Sequence, residues 1–347
     1  MKRLLITGAA GFIGASLAKQ ILLIEGDTKV VGIDNLNDYY DKELKKSRLE
    51  QLEQFENFSF VKGDIVDKAL IHELFEKYQP EIVINFAAQG GVRHSIDKPD
   101  DYINSNIIGF YNILEACRYS YNIRKDKEKE GYKGVNHLIY ASSSSVYGMN
   151  TKVPYSINDK ADNPASLYAA TKKSNELMAY AYSKLYGIPA TGLRFFTVYG
   201  PAGRPDMAYF KFTEKMVKGE KIQIYNYGNM ERDFTYIDDI ISGVMKVIML
   251  PPKRNDQGVC HKLYNIGNSK PESLLYFVEV LEECLMKEGI INKPAEKEFL
   301  PMQPGDVYAT YADVKALVKD FGFKPSTSIE TGLSRFVEWY KEYYNKI

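Results

Sequence analysis

The segment at residues 168–172 carries the strongest chemical signal in this sequence. The phenol of Tyr168 and the ammonium of Lys172 are four positions apart, and side chains at that spacing share one face of a helix. A nearby cation lowers the pKa of a tyrosine below its usual value of about 10. A phenol tuned in this way can act as a general base near neutral pH. The pair predicts proton transfer with an alcohol or ketone, although the spacing alone also suits an ordinary surface pair.

A row of serine hydroxyls precedes that helix. Ser142, Ser143 and Ser144 follow an apolar run at residues 137–141 that is typical of a buried strand. In an open parallel sheet, the carboxyl ends of the strands face the ligand crevice. We therefore expect the serines to lie beside the tyrosine and lysine of the next helix, in a site that handles the proton of an alcohol or ketone.

The amino-terminal segment predicts a site for a dinucleotide. Gly8, Gly11 and Gly14 are spaced G-x-x-G-x-x-G between a β-rich run at residues 3–7 and an amphipathic helix. In such a strand–turn–helix unit, backbone amides and the start of the helix face the pyrophosphate, and glycine lets the backbone approach it. The spacing alone is a weak signal, and a βαβ unit that binds no cofactor is the alternative.

Residues at the next strand ends indicate which dinucleotide binds. Asp34 ends the second predicted strand, 20 residues after Gly14, and can accept hydrogen bonds from the adenosine ribose. An acidic residue there repels a 2′-phosphate, which favours NAD over NADP. Asp64 follows the third predicted strand and can either reach the adenine or cap a turn. Ala87 and Ala88 end the fourth strand, where small side chains let the cofactor lie across the sheet.

The order of elements predicts the fold class. Strands and helices alternate as far as residue 200, which indicates an α/β fold with a doubly wound parallel Rossmann sheet. We expect residues 1–200 to bind NAD and to carry the Ser/Tyr/Lys site. Residues 201–347 are expected to form a smaller mixed α/β domain that binds the substrate, with later segments crossing between the two domains.

The composition excludes several classes of protein. The 347 residues include 45 basic and 45 acidic side chains, so no surplus of charge points to nucleic acid or to an anionic membrane. The three cysteines and four histidines lack the spacing of metal ligands, and the cysteines suit a reducing cytosol. No apolar run reaches the roughly 18–20 residues that span a bilayer, and glycines interrupt the run that a signal peptide would need. A cytoplasmic protein without a metal is expected.

The motifs above, together with Arg232 and Asp233, resemble the extended short-chain dehydrogenase/reductase superfamily, also called the NAD-dependent epimerase/dehydratase superfamily. Longer segments are similar to those of UDP-glucuronate 4-epimerases, and the resemblance spans nearly the whole chain. These segments lie at residues 35–41, 142–148, 166–173, 193–200 and 300–307.

The resemblance implies a reaction and an assembly. The reaction is reversible epimerisation at carbon 4 of UDP-glucuronate to UDP-galacturonate, through a 4-keto intermediate and with tightly bound NAD. The assembly is a homodimer through helices near residues 100–118 and 168–186. A step of this kind would supply precursors for polysaccharide biosynthesis.

The resemblance also implies roles for individual residues. Tyr168 takes the hydroxyl proton, and Lys172 holds the nicotinamide ribose. Ser143 holds the substrate oxygen with help from Ser142 or Ser144. The expected cofactor-binding residues are Gly8, Gly11, Phe12, Ile13, Gly14, Asp34, Asn35, Asp64, Ile65, Ala87, Ala88, Lys172 and Tyr199.

The chemistry of this substrate adds a demand of its own. A 4-keto uronic acid is a β-keto acid and tends to lose CO2, so the site must hold its carboxylate. By resemblance, Thr197 and Arg204 are the carboxylate partners, with Arg93 a weaker third. An arginine fork suits a carboxylate, whereas an ordinary surface loop is the alternative for Arg204. The other implied substrate contacts are Tyr225 to the uridine, Arg232 to the diphosphate and Asp306 to a ribose hydroxyl.

The sequence departs from its relatives at a few positions. Ser145 stands where related 4,6-dehydratases and UDP-glucuronate decarboxylases carry an acidic residue, which argues against base-assisted chemistry at carbon 5. Gly90 and His94 replace the usual Ala and Tyr of the family, and His94 is placed to retune the sugar pocket.

Two other functions remain open at this point. A 4-epimerase of UDP-glucose or UDP-N-acetylglucosamine would have no use for Thr197 and Arg204. A non-catalytic NAD-sensing regulator on the same fold could dispense with Tyr168 and Lys172, because fold alone does not fix function.

Overall fold

The computed structural model describes residues 2–126, 131–302 and 308–345. Its internal contacts divide the chain into two compact units. The first unit comprises Met1–Asn150, Lys160–Arg194 and Ile241–Tyr264, and the second comprises Thr151–Asp159, Phe195–Ile240 and Asn265–Ile347. The chain passes between the units more than once, and the assignment of cofactor and substrate binding to residues 1–200 and 201–347 stays a prediction.

Strands and helices alternate along most of the described chain. The strands are β1 (Arg3–Thr7), β2 (Lys29–Asp34), β3 (Phe58–Lys62), β4 (Ile82–Asn85), β5 (His137–Ser143), β6 (Ala190–Phe195), β7 (Thr197–Tyr199), β8 (Ile222–Tyr225), β9 (Glu231–Arg232), β10 (Phe234–Tyr236), β11 (His261–Ile266), β12 (Glu272–Ser273) and β13 (Lys297–Leu300). The helices are α1 (Phe12–Ile24), α2 (Lys42–Leu52), α3 (Lys68–Tyr78), α4 (His94–Asp97), α5 (Pro99–Tyr102), α6 (Phe110–Asp126), α7 (Leu167–Tyr186), α8 (Ala208–Val217), α9 (Ile237–Ile248), α10 (Leu274–Lys287), α11 (Lys315–Phe321) and α12 (Ile329–Tyr344). A π-helical segment, Ile103–Gly109, joins α5 to α6, and short 3-10 helices follow β5 (Ser144–Tyr147) and β8 (Asn226–Gly228).

A seven-stranded sheet in the order β11-β6-β5-β4-β1-β2-β3 forms the centre of the first unit. Strand β1 pairs in parallel with both β2 and β4, so the order of strands reverses there. Ligands of open α/β sheets bind at such a switch point, outside the carboxyl ends of the strands. The predicted doubly wound Rossmann sheet is confirmed.

The central strands are apolar because both of their faces are covered. Leu4, Leu5 and Ile6 of β1 are at most 3% exposed, as expected for strands with helices on both sides. The rigid central strands hold the loops at their carboxyl ends in fixed positions, and those loops carry the predicted site residues.

Helix α7 has local signals at both ends and an unusual buried face. Ser166 caps its amino end by accepting a hydrogen bond from the Ala169 amide, and Gly187 ends it in the left-handed conformation at φ +70°. Both features are typical of helix ends. The buried face includes Thr171, Lys172, Asn175 and Glu176. A buried polar face must find hydrogen-bond partners, and those partners define the site below.

The second unit contains small sheets and packed helices. The pairs β10-β7, β12-β9 and β13-β8 each form a two-stranded sheet, and α10 packs against both α8 and α12. Its aromatic core includes Tyr199, Phe210, Phe234, Phe277 and Phe336. None of the described helices combines the length and the apolar character needed to cross a bilayer.

Candidate active site

The glycine turn after β1 is packed against the end of β4. Gly8 has φ +71°, and a Cβ built on it would lie 2.7 Å from the Ala87 nitrogen. A Cβ on Gly14, in the first turn of α1, would lie 2.1 Å from the Gly8 carbonyl oxygen. Gly11 is the N-cap of α1, and the helix starts with Phe12 and Ile13. The turn therefore leaves room only for backbone, and it fits the pyrophosphate of a dinucleotide.

The ends of β2 and β3 bring three of the predicted cofactor residues together. The Asp34 carboxylate accepts a hydrogen bond from the Ala10 amide of the glycine turn at 3.1 Å. The Asn35 amide donates to Asp64 at 2.8 Å, and Asp64 also accepts from the amide two residues further on at 3.0 Å. Asp64 thus caps its own turn, as one of the two interpretations from the sequence expected. The other interpretation, a contact with adenine, stays a prediction. Ile65 beside it is buried.

The proposed base and its lysine lie at the start of α7, against the end of β5. Lys172 is 3% exposed and donates to the Ala141 carbonyl oxygen at 2.9 Å. Tyr168 lies one turn earlier, half-buried, with its ring edge-on to Tyr102 at 6.0 Å. The lysine therefore ties the helix that bears the phenol to the strand that leads into the serines.

The serines have three different environments. Ser143 is 8% exposed and accepts a hydrogen bond from the Ser145 amide at 3.1 Å, which caps the following 3-10 helix. Ser144 is half-buried in the first position of that helix. Ser142 is buried and donates to Glu176 at 2.7 Å. Because a hydroxyl has one proton to donate, this contact argues against the helping role that the resemblance gave Ser142.

A buried ion pair stands behind the serines, and sequence reasoning missed it. Arg194 binds Glu176 through two hydrogen bonds of 2.7 and 2.8 Å, and each side chain is 2% exposed. Burial alone would raise the pKa of Glu176, but the hydrogen bonds and charge of Arg194 hold it below its usual value. Both groups therefore stay charged inside the unit.

Asn106, in the π-helical segment, is a second residue that sequence reasoning missed. Its side chain accepts from the Gln89 amide at 2.8 Å and donates to the Gln89 carbonyl at 3.1 Å and to Thr171 at 3.0 Å. Its own carbonyl accepts from Asn175 at 2.6 Å. These bonds join the loop after β4, where the half-buried Ala87 and the exposed Ala88 lie, to α7. Apolar periodicity does not distinguish a π turn from an α turn, so the sequence carried no signal for it.

Two of the predicted carboxylate partners, Thr197 and Arg204, lie in the second unit. Thr197 begins β7, and its amide donates to the Asp233 carbonyl at 3.2 Å. Arg204 binds Asp206 through two hydrogen bonds of 2.9 and 2.6 Å. The guanidinium is thus a fork that already recognises one carboxylate.

Two other predicted substrate residues also lie in the second unit. Arg232 donates to the Glu231 and Tyr308 carbonyls at 2.8 and 3.1 Å. The hydroxyl of Tyr225 donates to Gln223 at 3.3 Å. Their contacts with the diphosphate and the uridine stay predictions.

Asp233, beside Arg232, organises the loops around these residues. Its carboxylate accepts from the amides of Asn268, Ser269 and Ala312 at 2.6, 3.0 and 3.0 Å. Burial raises the pKa of this carboxyl to about 6, and the hydrogen-bond donors oppose that rise. Within the Arg232-Asp233 motif, Asp233 therefore has a structural role.

Two more predicted site residues lie elsewhere in the described chain, and a third falls outside it. Tyr199 is 1% exposed, and its ring lies edge-on to Phe234 and Phe277. Such a position is typical of a core residue, and its contact with the cofactor stays a prediction. Arg93 is exposed at the start of α4. Asp306 lies outside the described residues.

The first unit thus offers groups for proton transfer at an alcohol, and a turn that suits a dinucleotide. Tyr168 and Lys172 lie at the start of α7, and Lys172 contacts the end of β5, the strand that ends in Ser143. Within residues 2–126, 131–302 and 308–345, no cluster of three or more His, Cys, Asp or Glu side chains could hold a metal ion.

Comparison with known proteins agrees with this arrangement. The model of the NAD dependent epimerase/dehydratase family matches residues 4–267. Protein CapI of Staphylococcus aureus is 50% identical, over 99% of this chain and 100% of its own length. UDP-glucuronate 4-epimerase 2 of Arabidopsis thaliana is 45% identical, over 99% of this chain and 76% of its own length. The crystal structure of UDP-glucuronic acid 4-epimerase from Bacillus cereus, in complex with UDP-glucuronic acid and NAD, matches with a TM-score of 0.85 and 32% identity, over 99% of this chain and 100% of that one. This chain belongs to the NAD dependent epimerase/dehydratase family.

Proposed function

We propose that this protein is a UDP-glucuronate 4-epimerase that interconverts UDP-glucuronate and UDP-galacturonate with tightly bound NAD. The observation that carries the proposal is the contact of Lys172 with the Ala141 carbonyl. It joins the Tyr168 helix to the strand that ends in Ser143. Similarity to UDP-glucuronate 4-epimerases over 99% of the chain supports the same reaction.

Each of these side chains has a task at carbon 4 of the sugar. Tyr168 removes the hydroxyl proton as the carbon is oxidised, and it returns that proton when the ketone is reduced. Ser143 holds the reacting oxygen by a hydrogen bond, and Lys172 holds the cofactor ribose and favours the phenolate. Bound NAD supplies reversible acceptance of the hydride, so no external oxidant is consumed. Between the two half-reactions the 4-keto sugar rotates about its bond to the diphosphate, so the hydride returns to the opposite face of the ring.

The carboxylate of the substrate needs a binding partner that slows decarboxylation of the 4-keto intermediate. We assign this task to Arg204 and Thr197, with Arg93 as a third contact. The two hydrogen bonds from Arg204 to Asp206 support the assignment, because they demonstrate a guanidinium oriented for bidentate recognition of a carboxylate.

One observation favours a second candidate, a 4-epimerase of a neutral UDP-hexose such as UDP-glucose or UDP-N-acetylglucosamine. Asp206 already offsets the charge of Arg204, and a neutral sugar would need no cation there. The two candidates differ in the effect of Arg204→Ala, which would slow only the reaction of a uronic acid.

We further propose a cytoplasmic homodimer that supplies polysaccharide biosynthesis. Large apolar side chains are exposed on α6 and α7: Tyr111, Leu177, Leu185 and Tyr186 are 38%, 61%, 70% and 44% exposed. A second copy could cover such side chains. Light scattering after gel filtration should give twice the mass of the chain, and a single chain mass would contradict the dimer.

The function is tested by proton NMR of UDP-glucuronate incubated with the purified protein without added NAD. We expect UDP-galacturonate and no UDP-pentose, whereas Tyr168→Phe in parallel should give neither. Formation of UDP-xylose would make the protein a decarboxylase. If UDP-glucuronate is unchanged while UDP-glucose or UDP-N-acetylglucosamine reacts, the second candidate replaces the first.

A further inference from the structure

The buried pair of Glu176 and Arg194 touches the elements that carry the proposed catalytic groups. Glu176 lies one turn beyond Lys172 on α7, and it accepts a hydrogen bond from Ser142 at the end of β5. The Arg194 guanidinium lies 4.8 Å from the centre of the Tyr147 ring, in the 3-10 helix that follows the serines. A single carboxylate–guanidinium unit therefore joins β5, β6, α7 and that 3-10 helix.

Stability alone is a weak reason for such a pair. Two charges lose their hydration when they are buried, and apolar replacements of similar volume are often as stable. What an ion pair adds is direction, because the two parallel hydrogen bonds of a guanidinium fork fix the angle and distance of the carboxylate.

The geometry of a strand explains how Glu176 can act on the reacting hydroxyl without touching it. Successive side chains of a strand point to opposite faces. Glu176 accepts a hydrogen bond from Ser142, so this contact fixes the rotation of the strand end and with it the direction of the next side chain, Ser143. The same carboxylate lies on the buried face of α7 that carries Lys172.

We propose that Glu176 and Arg194 are positioning residues for the epimerase reaction, which set Ser143 against Tyr168 and Lys172. Ser142 is the link between the ion pair and the strand. This inference rests on the proposed function. It explains why a buried charged pair and the buried hydroxyl of Ser142 lie next to the strand end that carries Ser143.

A double-mutant cycle between Glu176→Gln and Ser143→Ala tests the inference. Glu176→Gln keeps the shape of the side chain but replaces one of the two carboxylate oxygens with an NH2 group. That group cannot accept a hydrogen bond from the Arg194 guanidinium. We expect kcat to fall about 10- to 100-fold, as for misplacement of a reacting group by up to about 1 Å. The KM and the amount of retained NAD should stay within about twofold, a split that general loss of folded protein would not produce. In the Ser143→Ala background, Glu176→Gln should cost less than about twofold, because the group that it positions is absent.

Two further variants keep the test decisive. Ser142→Ala removes only the link, so it should lower kcat in the same direction, again without further loss in the Ser143→Ala background, even if Glu176→Gln does not fold. Glu282→Gln is the matched control, because Glu282 is 4% exposed and binds Lys297 through hydrogen bonds of 2.9 and 2.8 Å in the second unit. It should lower the Tm and leave kcat unchanged.

The outcomes separate the inference from the proposed function. An unsubstituted protein that forms no UDP-galacturonate refutes the function. If that protein is active, two results would show that the positioning role is wrong. One is that the fold-losses in kcat from Ser143→Ala and from Glu176→Gln or Ser142→Ala multiply in the double variant. The other is that neither Glu176→Gln nor Ser142→Ala lowers kcat.

Discussion

Two histidines in the first unit, one buried and one half-buried, should make the protein unstable to mild acid. His137 is 0% exposed, with Nε2 2.9 Å from the Thr191 hydroxyl. His261 has Nε2 2.8 Å from the phenol of Tyr140, and burial raises the pKa of that phenol, so it donates to an unprotonated ring. Burial lowers the pKa of each histidine from 6.5 to about 4.

The sign of the effect follows from where the proton binds. The folded-state pKa values are lowered, so between pH 6.5 and about 4 the unfolded chain binds more protons than the folded one. The stability is present above pH 6.5 and is lost as the pH falls. Each histidine corresponds to about 3 kcal/mol over the whole range, of which about 2 kcal/mol is lost between pH 7.5 and pH 5.0. Two such losses are a large part of the 5–15 kcal/mol by which domains are typically stable.

Urea unfolding followed by circular dichroism at pH 7.5 and pH 5.0 measures this loss. His137→Gln should lower the free energy of unfolding at pH 7.5 by about 1–3 kcal/mol, because a buried hydrogen bond is disturbed. It should also lose about 2 kcal/mol less than the unsubstituted protein on going to pH 5.0. Asn112→Ala, which also disturbs buried hydrogen bonds in the first unit but removes no titratable group, serves as the control and should lower the stability equally at both pH values. An equal response in His137→Gln and the unsubstituted protein would refute the reasoning.

Three further predictions concern the proposed site. Tyr168→Phe should reduce turnover at least about 100-fold, because the general base is removed, while NAD extracted from the purified protein stays at the unsubstituted level; preserved turnover would remove the base. Arg204→Ala should lower kcat/KM for UDP-glucuronate by about 10- to 100-fold, the effect of one charge-assisted hydrogen bond, and change any turnover of UDP-glucose little; an equal loss with both substrates would exclude a carboxylate contact. Gly14→Ala should weaken NAD binding about tenfold or more, because its Cβ would lie 2.1 Å from the Gly8 carbonyl oxygen and the turn would have to shift; full NAD content after purification would contradict the cradle.

The geometry expected from the sequence appears where the signal is local, although the roles of these residues stay predictions. Tyr168 and Lys172 are one helical turn apart, so forming the helix is enough to place them on one side. Lys172 then reaches the end of β5. Gly8 and Gly14 belong to one tight turn, and their spacing already indicates how closely the backbone must pack. By contrast, the resemblance assigned Tyr199 to the cofactor, and local spacing gave no sign that its side chain lies in an aromatic core; its contact with the cofactor stays a prediction.

The sequence by itself therefore determined the strand–helix order, the glycine turn and the Tyr/Lys spacing, because each follows from residues that are close together in the chain. The doubly wound sheet followed from the alternation of strands and helices. Only the tertiary structure decided which distant side chains meet. Glu176 and Arg194 are 18 residues apart and lie on a helix and a strand, and Asn106 reaches Thr171 across 65 residues. Such contacts depend on which strands are neighbours in the sheet and on which way each helix face turns. Periodicity within one element carries no information about either, so the polar network behind the serines became visible only in the folded chain.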